Sequence, residues 1–163
     1  MRTLVLLGAI LAAPAFAQEP VGCDKFRWTV DRERELLAHP SQINSGSELS
    51  QPIAAAAMLP LVPLASAKLP VPPSRAPKTP DTNAGFVRVS AIEKAGTYRV
   101  TLSHGAWIDV VQNGQILKSL AFSGVAGCDG IAKSVKFELA PASFIVELSG
   151  TTASSIAFVV TPD

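Results

Sequence analysis

From Phe86 onward the chain is written as short β-branched or aromatic runs separated by turn residues, and this rhythm most narrows what it can fold into. The runs are Phe86–Ile92, Thr97–Leu102, Ala106–Gln112, Gln115–Phe122, Ser134–Leu139, Phe144–Leu148 and Ile156–Thr161. Asn113-Gly114 between two of them is the strongest local hairpin signal, a two-residue type I′ turn. Lys94-Ala95-Gly96 and Ser103-His104-Gly105 read as further tight turns. Short strands at a spacing near ten residues, with no helix between them, predict an all-β antiparallel sandwich or jelly roll.

Alternation sets the faces of these strands. Tyr98, Val100 and Leu102 oppose Thr97, Arg99 and Thr101, and Val135, Phe137 and Leu139 oppose Ser134, Lys136 and Glu138. Each strand is therefore expected to have one buried and one wet face. Trp107 to Val111 is apolar on both sides, which predicts a central strand covered from outside.

Two segments precede this core and supply candidate covers. Thr29 to Ala38 reads as a short helix, with Thr29 as its cap, Asp31 in its first turn and His39-Pro40 as its stop. Its apolar face is thin, so Phe26 and Trp28 are expected to anchor it. Ser41 to Ser50 reads as a loop. Pro52, Pro60, Pro63, Pro70, Pro72, Pro73, Pro77 and Pro80 then exclude a long helix or a central strand between them. Within that stretch Met58–Leu64 is apolar enough for an edge strand lying on the core, and Pro70–Pro80 reads as a polyproline-type connector. The expected organisation is a signal peptide over 1–17, an arm with a short helix over 18–50, a proline-rich extended segment over 51–83 and the sandwich core over 84–163.

The N-terminus gives an address. Arg2, the apolar run Leu4–Ala13 and Ala15-Phe16-Ala17 have the order of a secretory signal cleaved after Ala17, and the run is too short for a comfortable membrane span of roughly 20 residues. The mature chain is then periplasmic or secreted, with no transmembrane segment. In an oxidising compartment its two cysteines, Cys23 and Cys128, most simply form one disulfide. Two alternatives are buried free thiols and a lipoprotein anchored through Cys23; for the latter Val21-Gly22 suits a lipobox but Pro20 does not.

Lys and Arg number 14 and Asp and Glu 13, and Arg2 leaves with the signal, so the mature charge is balanced. Such a chain has no general field to attract nucleic acid or an anionic membrane. The expected partner is an unidentified envelope protein or a small ligand.

Catalytic and metal patterns are sparse. The histidines are His39 and His104, both at loop positions, and with the cysteines paired few zinc ligands remain. An iron triad of two histidines and a carboxylate would need His39, His104 and an acid such as Asp109, and their spacing gives no sign of convergence. There is no Gly-x-Ser-x-Gly elbow, phosphate-binding glycine loop or calcium loop. Gly-Cys-Asp recurs at Gly22–Asp24 and Gly127–Asp129 without a longer repeat. No catalytic residue, metal site or cofactor is therefore assigned. A polar and aromatic binding surface is the remaining candidate, made of Arg88, Arg99, Trp107, Asp109 and Lys118.

Leu69–Lys78, Ala84–Val89, Ala106–Gln112, Gly127-Cys128 and Lys133–Phe137 together resemble a set of small exported proteins of alphaproteobacterial type, over roughly Cys23 to Val160. Members of that set carry the label homogentisate 1,2-dioxygenase. The label implies iron held by two histidines and a glutamate in a cupin-type enzyme much larger than this chain. The leading expectation is thus a non-catalytic exported binding or accessory module. The alternatives are the labelled dioxygenase and a disulfide-stapled inhibitor or protective factor.

Overall fold

A computed structural model describes residues 19–50 and 53–163; the expected signal, 1–17, lies outside the described residues. One α-helix, α1 (Asp31–Leu37), precedes β1 (Ser41–Gln42), β2 (Glu48–Leu49), β3 (Ala57–Pro60) and β4 (Val62–Pro63). The core follows as β5 (Asn83–Val89), β6 (Gly96–Leu102), β7 (Trp107–Gln112), β8 (Gln115–Ile116), β9 (Ala121–Gly124), β10 (Lys133–Leu139), β11 (Phe144–Thr151) and β12 (Ser155–Pro162).

These strands form two sheets. The first has the order β1-β3-β12-β6-β10-β9; the second runs β2-β5-β11-β7-β8, with β4 also beside β5. Pairing is antiparallel except for the two-residue pieces β1 on β3 and β2 on β5. The fold is the all-β sandwich that the strand rhythm predicts.

Period-two alternation builds the core. Tyr98, Val100 and Leu102 of β6, Val135, Phe137 and Leu139 of β10, and Ile156, Phe158 and Val160 of β12 meet Val87 and Val89 of β5, Ile108 and Val110 of β7, and Phe144, Val146 and Leu148 of β11. At the β7–β8 hairpin Asn113 and Gly114 both have positive φ, 53° and 75°, as a type I′ turn requires.

The outer face of the first sheet is wet at one end, where Glu138 is exposed, but not at the other. Thr101 and Ser134 are fully buried and share a hydrogen bond of 2.9 Å, and the Trp28 indole N–H donates to Ser134 Oγ at 3.2 Å. The arm lies over this face: Val30 and Leu37 pack with Val125, Ile131, Ala157 and Val159 in a second apolar cluster. The Cys23–Cys128 disulfide, closing a separation of 105 residues, fastens the arm there. The Cys23 sulfur is consequently not free to carry a lipid. Thr29 does not cap α1. The residue before the helix is Val30, without a side-chain cap, while the Thr29 carbonyl accepts from Arg99 Nη1 at 2.9 Å. Burial of Val30 fixes the helix entry that a capping hydroxyl would otherwise fix.

Three other boundaries differ from expectation. The first core run is shifted to Asn83–Val89. Gln115–Phe122 is broken into β8 and β9 because the chain leaves the second sheet for the first between them. The Met58–Leu64 stretch crosses in the opposite sense, from β3 through buried Leu61 to β4. Gly85 sits beneath that crossing, where an added Cβ would meet Leu61 Cδ2 at 2.9 Å and the Pro60 carbonyl oxygen at 3.0 Å.

Candidate functional site

β7 is covered as its two apolar sides predict, and the proline-rich segment is the cover. Alternation sends Trp107 and Asp109 to the outer face of the second sheet, where the β11–β7 register sets Asp109 opposite Glu147 and Trp107 opposite Ser149. Pro72 and Pro73 have no N–H to offer, and the residues flanking them do the bonding. The Val71 N–H donates to Glu147 Oε1 at 3.0 Å, and the Ser74 N–H donates to Asp109 Oδ2 at 3.0 Å. The Ser74 hydroxyl donates to Asp109 Oδ1. The Trp107 indole N–H lies 2.9 Å from Ser74 Oγ and 3.1 Å from Asp109 Oδ1. Two carboxylates thus strap the proline segment to the sheet.

They are not equally satisfied. Asp109, 3 % exposed, accepts from several donors, whereas Glu147, 1 % exposed, has no hydrogen-bond partner for Oε2 among the described residues. Burial pushes the Glu147 carboxyl above the ordinary range, the Val71 N–H opposes this, and the nearby Asp109 charge adds to the rise.

The strap continues into the wall of a cavity of about 680 Å³ at the end of the sandwich where β7 and β10 begin and β9 ends. Ile108 and Val135, both core residues, line it together with Val125 and Phe122. Arg75 and Lys78 come from the strap and Lys133 from β10. Lys133 Nζ donates to the Ala106 carbonyl at 2.7 Å and lies 5.2 Å from the centroid of a Trp107 ring; the Arg75 guanidinium carbon is 5.0 Å from a Trp107 ring. The indole face attracts both cations. Burial lowers the Lys133 pKa, and the Arg75 charge lowers it further, against smaller opposing effects of Glu19 and Asp109.

Of the five expected surface residues, Trp107 and Asp109 are brought together at this site. Arg88 is exposed elsewhere on the second sheet, donating to the Gly46 carbonyl at 2.6 Å and lying over Phe86. Arg99 is on the first sheet, where it binds Asp163 at 2.7 Å and stands over Trp28. Lys118 is exposed in the β8–β9 link, beside the cavity-lining Ser119.

Ser74, Arg75, Lys133 and Glu147 were not foreseen. Lys133 had a readable signal: it shares parity with Val135 and Phe137, so a strand starting there aims it inward. Glu147 had one too, as a lone charge inside the run Phe144–Leu148.

The two histidines and the acid considered for an iron site are not brought together. His39 and His104 are exposed in separate loops, His104 Nδ1 is 3.0 Å from Ser103 Oγ, and Asp109 is engaged by Ser74 and Trp107. Among the described residues no group of three or more His, Cys, Asp or Glu side chains is placed to hold a metal ion. No described helix is long and apolar enough to cross a membrane. Comparison of the chain with protein-family models, curated proteins and solved structures gave no match.

Proposed function

We propose that this protein is an exported, non-catalytic binding module of the periplasm or cell envelope, and that the cavity at the end of its sandwich holds a small ligand. The cavity carries this reading: it joins apolar walls reaching the core to a few charged groups at one rim, the usual make-up of a ligand pocket. The disulfide supports an oxidising compartment, and the first seventeen residues read as an export signal. The buried acids beside the cavity serve to hold the strap, so they need no catalytic role to account for them.

The test is native mass spectrometry of untagged protein purified from its own host's periplasm. The reading expects a mature chain beginning at Gln18, oxidised at Cys23 and Cys128, carrying a small molecule that is lost on Gly105→Trp, at a lining position where an added Cβ meets open space. Retention in the cytosol, or a bound molecule indifferent to that substitution, overturns it. Stoichiometric iron with turnover of homogentisate would put the dioxygenase reading in its place.

A further inference from the structure

The rim of the cavity is unbalanced in charge. Arg75, Lys78 and Lys133 line it, against one acid, Glu19. Lys133 is held at the rim of the core with one protein acceptor, the Ala106 carbonyl, among the described residues, and an ammonium has three N–H donors to place. The far wall is different in kind, since Ile108 and Val135 belong to the apolar core between the sheets. The lining also has an apolar part open to solvent: Phe122 lines the cavity and is 62 % exposed, and Leu120, two residues earlier in the chain, is 58 % exposed. Large apolar side chains left in solvent beside an apolar cavity mark a surface meant to be covered.

Cations at the rim, an apolar interior and an apolar lip match one kind of molecule. Resting on the binding reading above, we infer that the cavity takes a single-chain amphiphile with an anionic head, its chain running inward past Phe122 to Ile108 and Val135 and its carboxylate or phosphate meeting Lys133, Arg75 and Lys78. Lys133 supplies the inner contact, and Arg75 and Lys78, on the exposed strap, close over the head. Trp107 stands within cation–π range of both Arg75 and Lys133 before any ligand arrives.

The test is calorimetric titration of the full mature protein, disulfide intact, with decanoate, decyl phosphate, decanol and decyltrimethylammonium, each below its micelle-forming concentration. One decanoate or decyl phosphate is expected per chain, and the stronger of the two identifies the head. The cationic analogue should bind at least tenfold more weakly. Octanoate should be weaker than decanoate by about fourfold for each methylene removed. Lys78→Ala, an exposed substitution, should weaken decanoate about threefold and leave decanol unchanged, and Lys133→Met should weaken it further. Equal binding of the cationic and anionic chains, or no dependence on chain length, overturns the inference. Silence with all four probes also overturns it; the binding-module reading then survives only if the native protein still carries another molecule that Gly105→Trp displaces.

Discussion

Glu147 stands directly across the β11–β7 pair from Asp109, both are buried, and neither forms a salt bridge among the described residues. Two acids share one patch with backbone and hydroxyl donors in place of counter-charges. The Glu147 carboxyl, raised by burial, therefore keeps its proton to a higher pH than it would in the unfolded chain.

Replacing Glu147 by Gln should stabilise the protein at neutral pH, by about 1 kcal/mol, because the amide keeps an acceptor for the Val71 N–H and removes a buried charge with an unpaired oxygen. Denaturant unfolding at pH 7.5 and at pH 4.5 checks this. The gain should shrink at the lower pH, where more of the wild-type Glu147 carries its proton.

Stability should pass through a maximum in mildly acidic solution. Between the ordinary glutamate range and the raised folded value the native state holds the extra proton at Glu147, so stability falls as pH rises through that interval. Asp163 acts in the opposite sense. Its hydrogen bond to Lys136 and its contacts with Arg99 lower its pKa, so its contribution is present above the ordinary aspartate range and is lost as pH falls through the lowered folded value. Thermal unfolding across pH 3 to 8 should show both limbs, and Glu147→Gln should flatten the one at higher pH alone.

Ser74→Ala should cost about 1–2 kcal/mol and free the strap. The substitution deletes the hydroxyl shared by Asp109 and the Trp107 indole while leaving the Ser74 N–H in place. Faster hydrogen exchange at the Val71 and Ser74 amides, with the sandwich strands unchanged, is the expected signature. A uniform change across all strands would mean that the strap is no separate unit.

Arg99→Met should destabilise the arm and spare the cavity. Arg99 lies 3.7 Å from buried Glu33 and 2.7 Å from Asp163, and it donates to the Thr29 carbonyl. Leaving Glu33 without its cation should cost about 2 kcal/mol, less than for a fully buried pair because Arg99 is partly solvated. Exchange should quicken in α1, and decanoate binding should not move.

Reduction of the disulfide should loosen the same arm. The chain-entropy argument for a loop of this length gives about 4–5 kcal/mol as an upper-end loss. Unfolding with and without reductant checks the magnitude, and a change of two hydrogens in intact mass checks the bond.

The strands and the disulfide were legible because their signals are local or compositional. Asn113-Gly114 dictates its own turn, and two cysteines with no others have one internal pairing. The doubly apolar character of β7 announced a cover over it. What escaped was long-range. Nothing near Thr101 or Ser134 says that Trp28 will close over them, and nothing near Asp109 says that Ser74, thirty-five residues earlier, will bond to it. Arg88, Arg99 and Trp107 look alike in sequence as polar or aromatic strand residues, yet only the order of strands separates them onto different sheets and different ends.

The spacing of prolines in the strap has a consequence for recognition. Pro70, Pro72 and Pro73 restrict the backbone on either side of the two amides that reach the carboxylates, so the segment presenting Arg75 and Lys78 has little freedom left to lose when a guest arrives. The cavity wall is set before the encounter. Affinity at this site should therefore respond more to loosening the strap than to removing any one of its charges.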